Sequence, residues 1–268
     1  MTKVSIITVC KNSEKTIEKT IKSVIFQTYN HIEYIIIDGK STDNTINIIN
    51  KYRDKIEHFI SEPDSGIYEA MNKGIKKATG DYCLFLNSDD YLYDNKVMER
   101  VFQKHYNYDI IYGNTLFDYG NGKLILKKEP EKISYYFLYL GGLAHPGQFI
   151  QRKLFTEYGL YNESYKLSSD YELQLRLLVK HNVRTFNIPY TITIFSIISS
   201  PMRTIQNSQL SLIENRKAQE NIFPPQVLEL LDEYHKIVRS PALRLARKLN
   251  KIPLVNKIMA YFVHLNVL

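Results

Sequence analysis

Short apolar runs alternate along the first half of the chain with stretches in which apolar residues recur every three or four positions. The runs Val4–Cys10, 34–38, His58–Ser61, 82–87 and 109–112 predict strands, and the stretches 16–27, 42–52, 67–78 and 96–104 predict helices. This alternation predicts an α/β fold built on a doubly wound, mostly parallel sheet with flanking helices. Three of the strands end in polar clusters: Lys11-Asn12-Ser13, Asp38-Gly39-Lys40-Ser41-Thr42-Asp43 and Asn87-Ser88-Asp89-Asp90. Ligands bind such sheets at the carboxyl ends of strands, so the clusters are expected to converge on one crevice. Around Tyr119-Gly120-Asn121-Gly122 a hairpin turn interrupts the alternation, which predicts an inserted region from about 115 to 165 facing a second substrate. A helix at 171–180, strands up to Ile197 and two or three further helices complete the pattern.

The polar residues at the strand tips carry the candidate chemistry. Asp89 and Asp90 follow an apolar strand, and adjacent carboxylates repel each other unless a cation is present; Mg²⁺ or Mn²⁺ takes carboxylate and phosphate oxygens together. The alternative is that one of the pair caps the next turn. Asp38 is read either as an acceptor for a nucleobase edge or ribose hydroxyl, or as the start of a side-chain turn leading to a helix capped by Thr42 or Asp43. The segment 62–82 combines a turn with a helix whose apolar face is Ile67, Met71 and Ile75, and Asp64 with Ser65-Gly66 is a candidate contact for a nucleotide or sugar. Asp170 at the start of a helix is either a cap or a rigidly held general base, and His145 before Pro146 is a phosphate or metal ligand or a structural residue.

Absences narrow the class. There is no GxGxxG after the first strand, no GxxxxGK[ST] and no GxSxG, so dehydrogenase, P-loop and hydrolase readings lack their signatures. Two cysteines, Cys10 and Cys83, lie in apolar runs and fit neither a disulfide framework nor a metal cluster, which suggests a reducing, cytoplasmic setting. No secretory signal is expected, and no apolar stretch reaches the roughly 20 residues that cross a bilayer. The net charge of +7 is localised: from Tyr234 onward there are seven basic residues and no acidic one, and the rest of the chain holds 28 of each sign. A neutral body with a basic tail argues against a nucleic-acid groove and for a localised anionic partner. On a helix, Arg244, Arg247, Lys248 and Lys251 share one face and Leu245, Leu249 and Ile252 the other, and a second apolar stretch at 258–263 follows Pro253. The tail is expected to lie peripherally on the inner face of a membrane, or alternatively to pack on the domain or form a homo-oligomer.

The motifs VSIITVCKNSEKTIEKTIKSV, IEYIIIDGKSTDNT, EPDSGIYEAMNKGIKKATGDYCLFLNSDD, HPGQFIQRKLF and SSDYELQLR together resemble glycosyltransferase family 2, the inverting GT-A enzymes, over residues 3 to about 197. The wording most resembles the bacterial branch that builds capsule, exopolysaccharide or lipopolysaccharide. The resemblance implies a catalytic domain at 1–200, with a nucleotide-binding half at about 1–114 and an acceptor-side half at about 115–200, followed by a helical extension at 201–268. It implies a nucleoside diphosphate sugar, most simply a UDP sugar, as donor and a saccharide or lipid-linked acceptor. Nucleotide contacts are implied at Thr8, Val9, Lys11, Asn12, Asp38, Asp64 and Asp89, metal ligands at Asp89 and Asp90, acceptor or phosphate contacts at His145 and Gln148, and the base at Asp170. Asn87 stands where the family's acidic motif often begins with Asp, Lys11 replaces a common aromatic, and Lys40 a usual small residue. A sugar nucleotidyltransferase, which should carry a Gly-rich first turn, and a non-catalytic sugar-nucleotide-binding module are the competing classes.

Overall fold

The structure, a computed structural model, describes residues 1–198 and 204–241. The tail stretches expected at 242–252 and 258–263 lie outside the described residues. The chain divides into two units, Met1–Ile222 and Phe223–Leu268.

In chain order the first unit contains β1 (Val4–Cys10), α1 (Ile17–Ile25), β2 (Ile32–Asp38), α2 (Thr45–Asn50), β3 (His58–Ser61), α3 (Ile67–Lys77), β4 (Tyr82–Phe85), β5 (Tyr91–Leu92), α4 (Val97–Phe102) and β6 (Ile110–Asp118). It continues through β7 (Leu124–Lys127), α5 (Tyr135–Tyr139), β8 (Gln148–Gln151), α6 (Lys153–Glu157), α7 (Ser169–Leu175), β9 (Thr185–Ser196) and α8 (Ile205–Ile222). The described part of the second unit is α9 (Pro225–Arg239), started by proline at its first turn and carrying Lys236 and Arg239 in its last.

The strands form one sheet in the order β3-β2-β1-β4-β8-β6-β9-β5, with β7 paired to β6. β1, β2, β3 and β4 are mutually parallel. All seven residues of β1 are buried, as expected for a parallel strand covered on both faces. α1 buries Ile17, Thr20, Ile21 and Val24, an i, i+3, i+4, i+7 stripe. α3 lies close to β1 because Gly74 has no side chain: a Cβ there would stand 2.4 Å from Ile7 Cγ2. The buried face of α3 is Tyr68, Met71, Asn72 and Ile75, whereas Ile67, expected in the core, is 39% exposed.

The region 115–165 is not a simple insertion. β6 and β7 form the expected hairpin, but the chain then re-enters the sheet as β8, antiparallel between β4 and β6. With only four residues, Gln-Phe-Ile-Gln, β8 is too short to reveal itself by alternation. No helix among the described residues is long and apolar enough to cross a membrane.

Candidate active site

A cavity of about 930 Å³ opens at the carboxyl ends of β1 and β4. β1 and its following loop contribute Val9, Cys10, Lys11 and Asn12; the tip of β4 contributes Asn87, Ser88 and Asp89. Asp64, Ile67, Tyr68 and Met71 line it from the turn into α3 and from α3 itself, and His145, Pro146, Leu167, Asp170, Phe117 and Phe195 from the second half of the unit. The cavity therefore joins the two halves that the sequence separates.

The strand tips are knitted together by their polar residues. Asn12, in the left-handed region at φ 51°, accepts the Thr42 N–H through Oδ1 at 2.9 Å, and its own N–H donates to Ser41 Oγ at 2.8 Å. Asparagine tolerates that backbone better than most residues. The Ser13 and Ser88 hydroxyls meet at 2.8 Å, tying the tip of β1 to that of β4. Asp43 accepts the Thr45 N–H at 3.0 Å and the Glu14 N–H at 3.1 Å, holding the start of α2 against the β1 loop.

Four expected site residues do not reach the cavity wall. Asp38 is fully buried and makes the side-chain turn: Oδ2 accepts the Ser41 N–H at 2.9 Å and the Ser61 hydroxyl at 2.7 Å, and Oδ1 accepts the Ser41 hydroxyl and the Cys10 thiol. Its accepting capacity is spent inside the protein. Thr8 faces the core, its hydroxyl 3.2 Å from that of Tyr34. Gln148 is buried and donates from Nε2 to the Ala144 carbonyl at 3.1 Å. Asp90 is fully buried: its Oδ1 accepts the N–H of Ser196 on β9 at 3.0 Å, and its Oδ2, like Asn87 Oδ1, has no hydrogen-bond partner among the described residues. Burial, reinforced by the neighbouring Asp89 carboxylate, pushes the Asp90 carboxyl well above the usual range.

Val9, Lys11, Asn12, Asp64, Asp89, His145 and Asp170 do share the cavity. Burial raises the Asp64 carboxyl from its ordinary value, opposed by Lys11 and Lys73. Burial lowers the His145 imidazole, opposed by Asp170, and its Nε2 lies 3.0 Å from the Tyr161 hydroxyl. Asp170 sits in the first turn of α7, with the Tyr68 hydroxyl donating to its Oδ1 at 3.0 Å. Glu172, two residues on, is instead occupied by Arg176 at 3.0 Å. The approach to α7 is fixed from α8, where the buried Glu214 carboxylate accepts three consecutive backbone N–H groups, those of Lys166, Leu167 and Ser168, at 2.7, 2.9 and 3.0 Å. Tyr68 and Glu214 escaped the sequence reading. For Tyr68 a signal exists in Tyr68 and Asn72, four positions apart on the face that α3 buries.

Among the described residues no group of three or more His, Cys, Asp or Glu side chains is arranged around a metal position. The tip of β4 nevertheless fits a hard divalent ion. Asn87 Oδ1 is buried with no hydrogen-bond partner among the described residues, and the Asp89 carboxylate stands two residues away on the same cavity wall. One carboxylate, one amide oxygen and the phosphates of a bound nucleotide are the ligand set that Mg²⁺ or Mn²⁺ commonly accepts.

A parallel β-α half with its cavity at the strand tips, completed by a mixed half that adds a carboxylate, defines the GT-A class of glycosyltransferases. The chain belongs to glycosyl transferase family 2, whose profile matches residues 5–160. It is 30% identical over 195 residues, 70% of this chain and 72% of the relative, to a PGL/p-HBAD biosynthesis glycosyltransferase of Mycobacterium bovis. It is 34% identical over 186 residues, 65% of this chain and 58% of the relative, to an uncharacterized glycosyltransferase of Rickettsia typhi. Among solved structures, S. aureus TarS 1-349 in complex with UDP-GlcNAc shares the fold at a TM-score of 0.60 and 23% identity, over 72% of this chain and 58% of that one. The mannosyltransferase PcManGT from Pyrobaculum calidifontis, in complex with GDP-Man and Mn²⁺, shares it at 0.64 and 14% identity, over 100% of this chain and 81% of that one. The protein is a glycosyltransferase.

Proposed function

We propose that the protein transfers a sugar, with inversion, from a nucleoside diphosphate sugar to a hydroxyl of a saccharide or lipid-linked acceptor in the synthesis of a bacterial surface glycan. The observation that carries this reading is the presence of Asp89 and Asp170 on one cavity wall system, the first at a strand tip in the nucleotide half and the second on α7. Val9, Lys11, Asn12 and Asp64 border the space in which the nucleotide sits. Asn87 and Asp89 would hold Mg²⁺ or Mn²⁺, which offsets charge developing on the departing diphosphate. Asp170 accepts the proton of the acceptor hydroxyl as the oxygen attacks the anomeric carbon. The new C–O bond forms as the bond to the diphosphate breaks, the bonding pair leaves with the diphosphate, and no covalent enzyme intermediate arises. Phe117 and Phe195, their rings 5.6 Å apart, give the acceptor-side wall an apolar face. The UDP-GlcNAc held by TarS supports a UDP sugar as donor.

Thermal stabilisation by UDP, GDP and their sugars, with and without Mn²⁺, identifies the nucleotide. Asp170→Asn then retains that stabilisation but loses transfer by roughly 10² to 10⁴-fold, the usual contribution of a general base. Wild-type turnover in Asp170→Asn places the base elsewhere. The same proposal includes peripheral attachment through the basic tail, which would bring the cavity to an acceptor carried in a membrane.

A further inference from the structure

Tyr68 and Asn72 lie one turn apart on α3, in the nucleotide half, and both are buried. Each reaches across into the segment that leads to Asp170. Asn72 grips Tyr161 by both backbone groups: its Nδ2 donates to the Tyr161 carbonyl at 3.0 Å, and its Oδ1 accepts the Tyr161 N–H at 3.0 Å. The Tyr161 ring stacks on that of Tyr68, centroids 5.7 Å apart and planes 27° from parallel. Phe85 meets the Tyr161 ring edge-on at 5.2 Å from the end of β4. With its ring stacked on Tyr161, the Tyr68 hydroxyl has one donation to make, and it goes to Asp170 Oδ1 at 3.0 Å. Burial and the Asp170 carboxylate hold the Tyr68 phenol well above its ordinary value, so it keeps its proton and remains a donor throughout the working range.

We infer that Tyr68, braced by Asn72 and Tyr161, is a positioning residue that fixes the orientation of the Asp170 carboxylate and so couples its placement to the helix that borders the nucleotide. The inference rests on Asp170 serving as the base. One carboxylate oxygen is engaged by Tyr68, which leaves the other as the oxygen aimed at the acceptor hydroxyl; a carboxylate free to rotate would spend part of its time misdirected. The hydrogen bond spans residues 102 positions apart, so it is a tertiary constraint and not a local cap. It also assigns a role to the aromatic position in GIYEAMN that packing alone does not require, since phenylalanine would fill the same volume.

The test uses the full chain with the nucleotide sugar selected by the thermal screen, Mn²⁺, and water as acceptor, following release of nucleoside diphosphate. In Tyr68→Phe, kcat falls roughly tenfold to a hundredfold, the worth of a hydrogen bond to a charged group, while the KM for the nucleotide sugar stays within about twofold. In the Asp170→Asn background the added Tyr68→Phe change costs less than about twofold, because the carboxylate it orients is already gone. Unchanged kcat in Tyr68→Phe, or a KM that rises in proportion, overturns the inference, as does an equal loss in both backgrounds, which marks a purely structural role. Thermal unfolding of each variant registers any loss of fold separately. Wild-type release by Asp170→Asn instead overturns the base assignment, an outcome distinct from failure of Tyr68→Phe alone.

Discussion

The pair Asp89 and Asp90 shows how far two neighbouring residues of one type can diverge. Their adjacency suggests a shared cation, but the chain presents Asp89 to the cavity and Asp90 to the backbone of β9. Asp89→Ala is therefore expected to abolish the divalent-cation dependence of nucleotide-induced thermal stabilisation. Asp90→Ala is expected to keep that dependence while lowering stability by about 1–3 kcal/mol, because the Ser196 N–H loses its acceptor. Equal loss of cation dependence in both variants would restore the paired-ligand reading. Residue types and their place at strand tips and helix starts were legible in the sequence, and Asp64, Asp89, His145 and Asp170 do reach the cavity. Side-chain direction was not legible: Asp38 turns inward only because Ser41 and Ser61, 20 residues apart in sequence, both find it in space, an encounter that no local pattern encodes.

At the level of elements, the parallel core was readable because each strand is a continuous apolar run and each helix carries a 3.6-residue stripe. β8 was not, and the face of α3 was misjudged because Ile67 weighs as core by composition while Asn72 weighs as surface. Polar residues that join elements are as decisive as apolar ones here. Glu33 on β2 accepts from Ser5 Oγ on β1, from the Thr79 N–H at 2.8 Å just beyond α3, and from Lys3 Nζ at 3.0 Å. Burial would raise this carboxyl, yet those donors outweigh burial and hold it down at about 2, against an ordinary 4.5. A carboxylate whose pKa is depressed by folding stabilises the protein fully above its unfolded value and ceases to do so as pH falls through its folded value. The wild type is thus expected to lose stability progressively between about pH 5 and pH 2, by up to about 3 kcal/mol from this group. The loss should be flatter in Glu33→Gln over the same window, as read by urea unfolding at stepped pH. Parallel slopes for the two proteins would show that other carboxylates govern the acid limb.

For the molecule as a whole, charge and chemistry are separated along the chain, with a neutral catalytic body preceding a tail that carries the entire basic excess. Full-length protein is expected to sediment with anionic vesicles and to be released by salt, whereas a chain ending at Ser240, which keeps α9 intact, stays in the supernatant. Equal sedimentation of the two, or none by either, rejects membrane attachment through the tail. The bracing of Tyr161 and Asp170 from α3 bears on a different kind of experiment, the recombination of family members to make new glycans. A crossover just before β6, near residue 108, looks natural, since it parts the parallel strands β1 to β4 from β6 and the strands that follow it. It would nevertheless deliver an incoming Asp170 to a helix selected alongside another partner, with Tyr68 and Asn72 left on the resident side of the join. Hybrids that exchange the acceptor half should therefore regain turnover when the α3 face travels with it, making that helix part of the acceptor cassette although it borders the nucleotide.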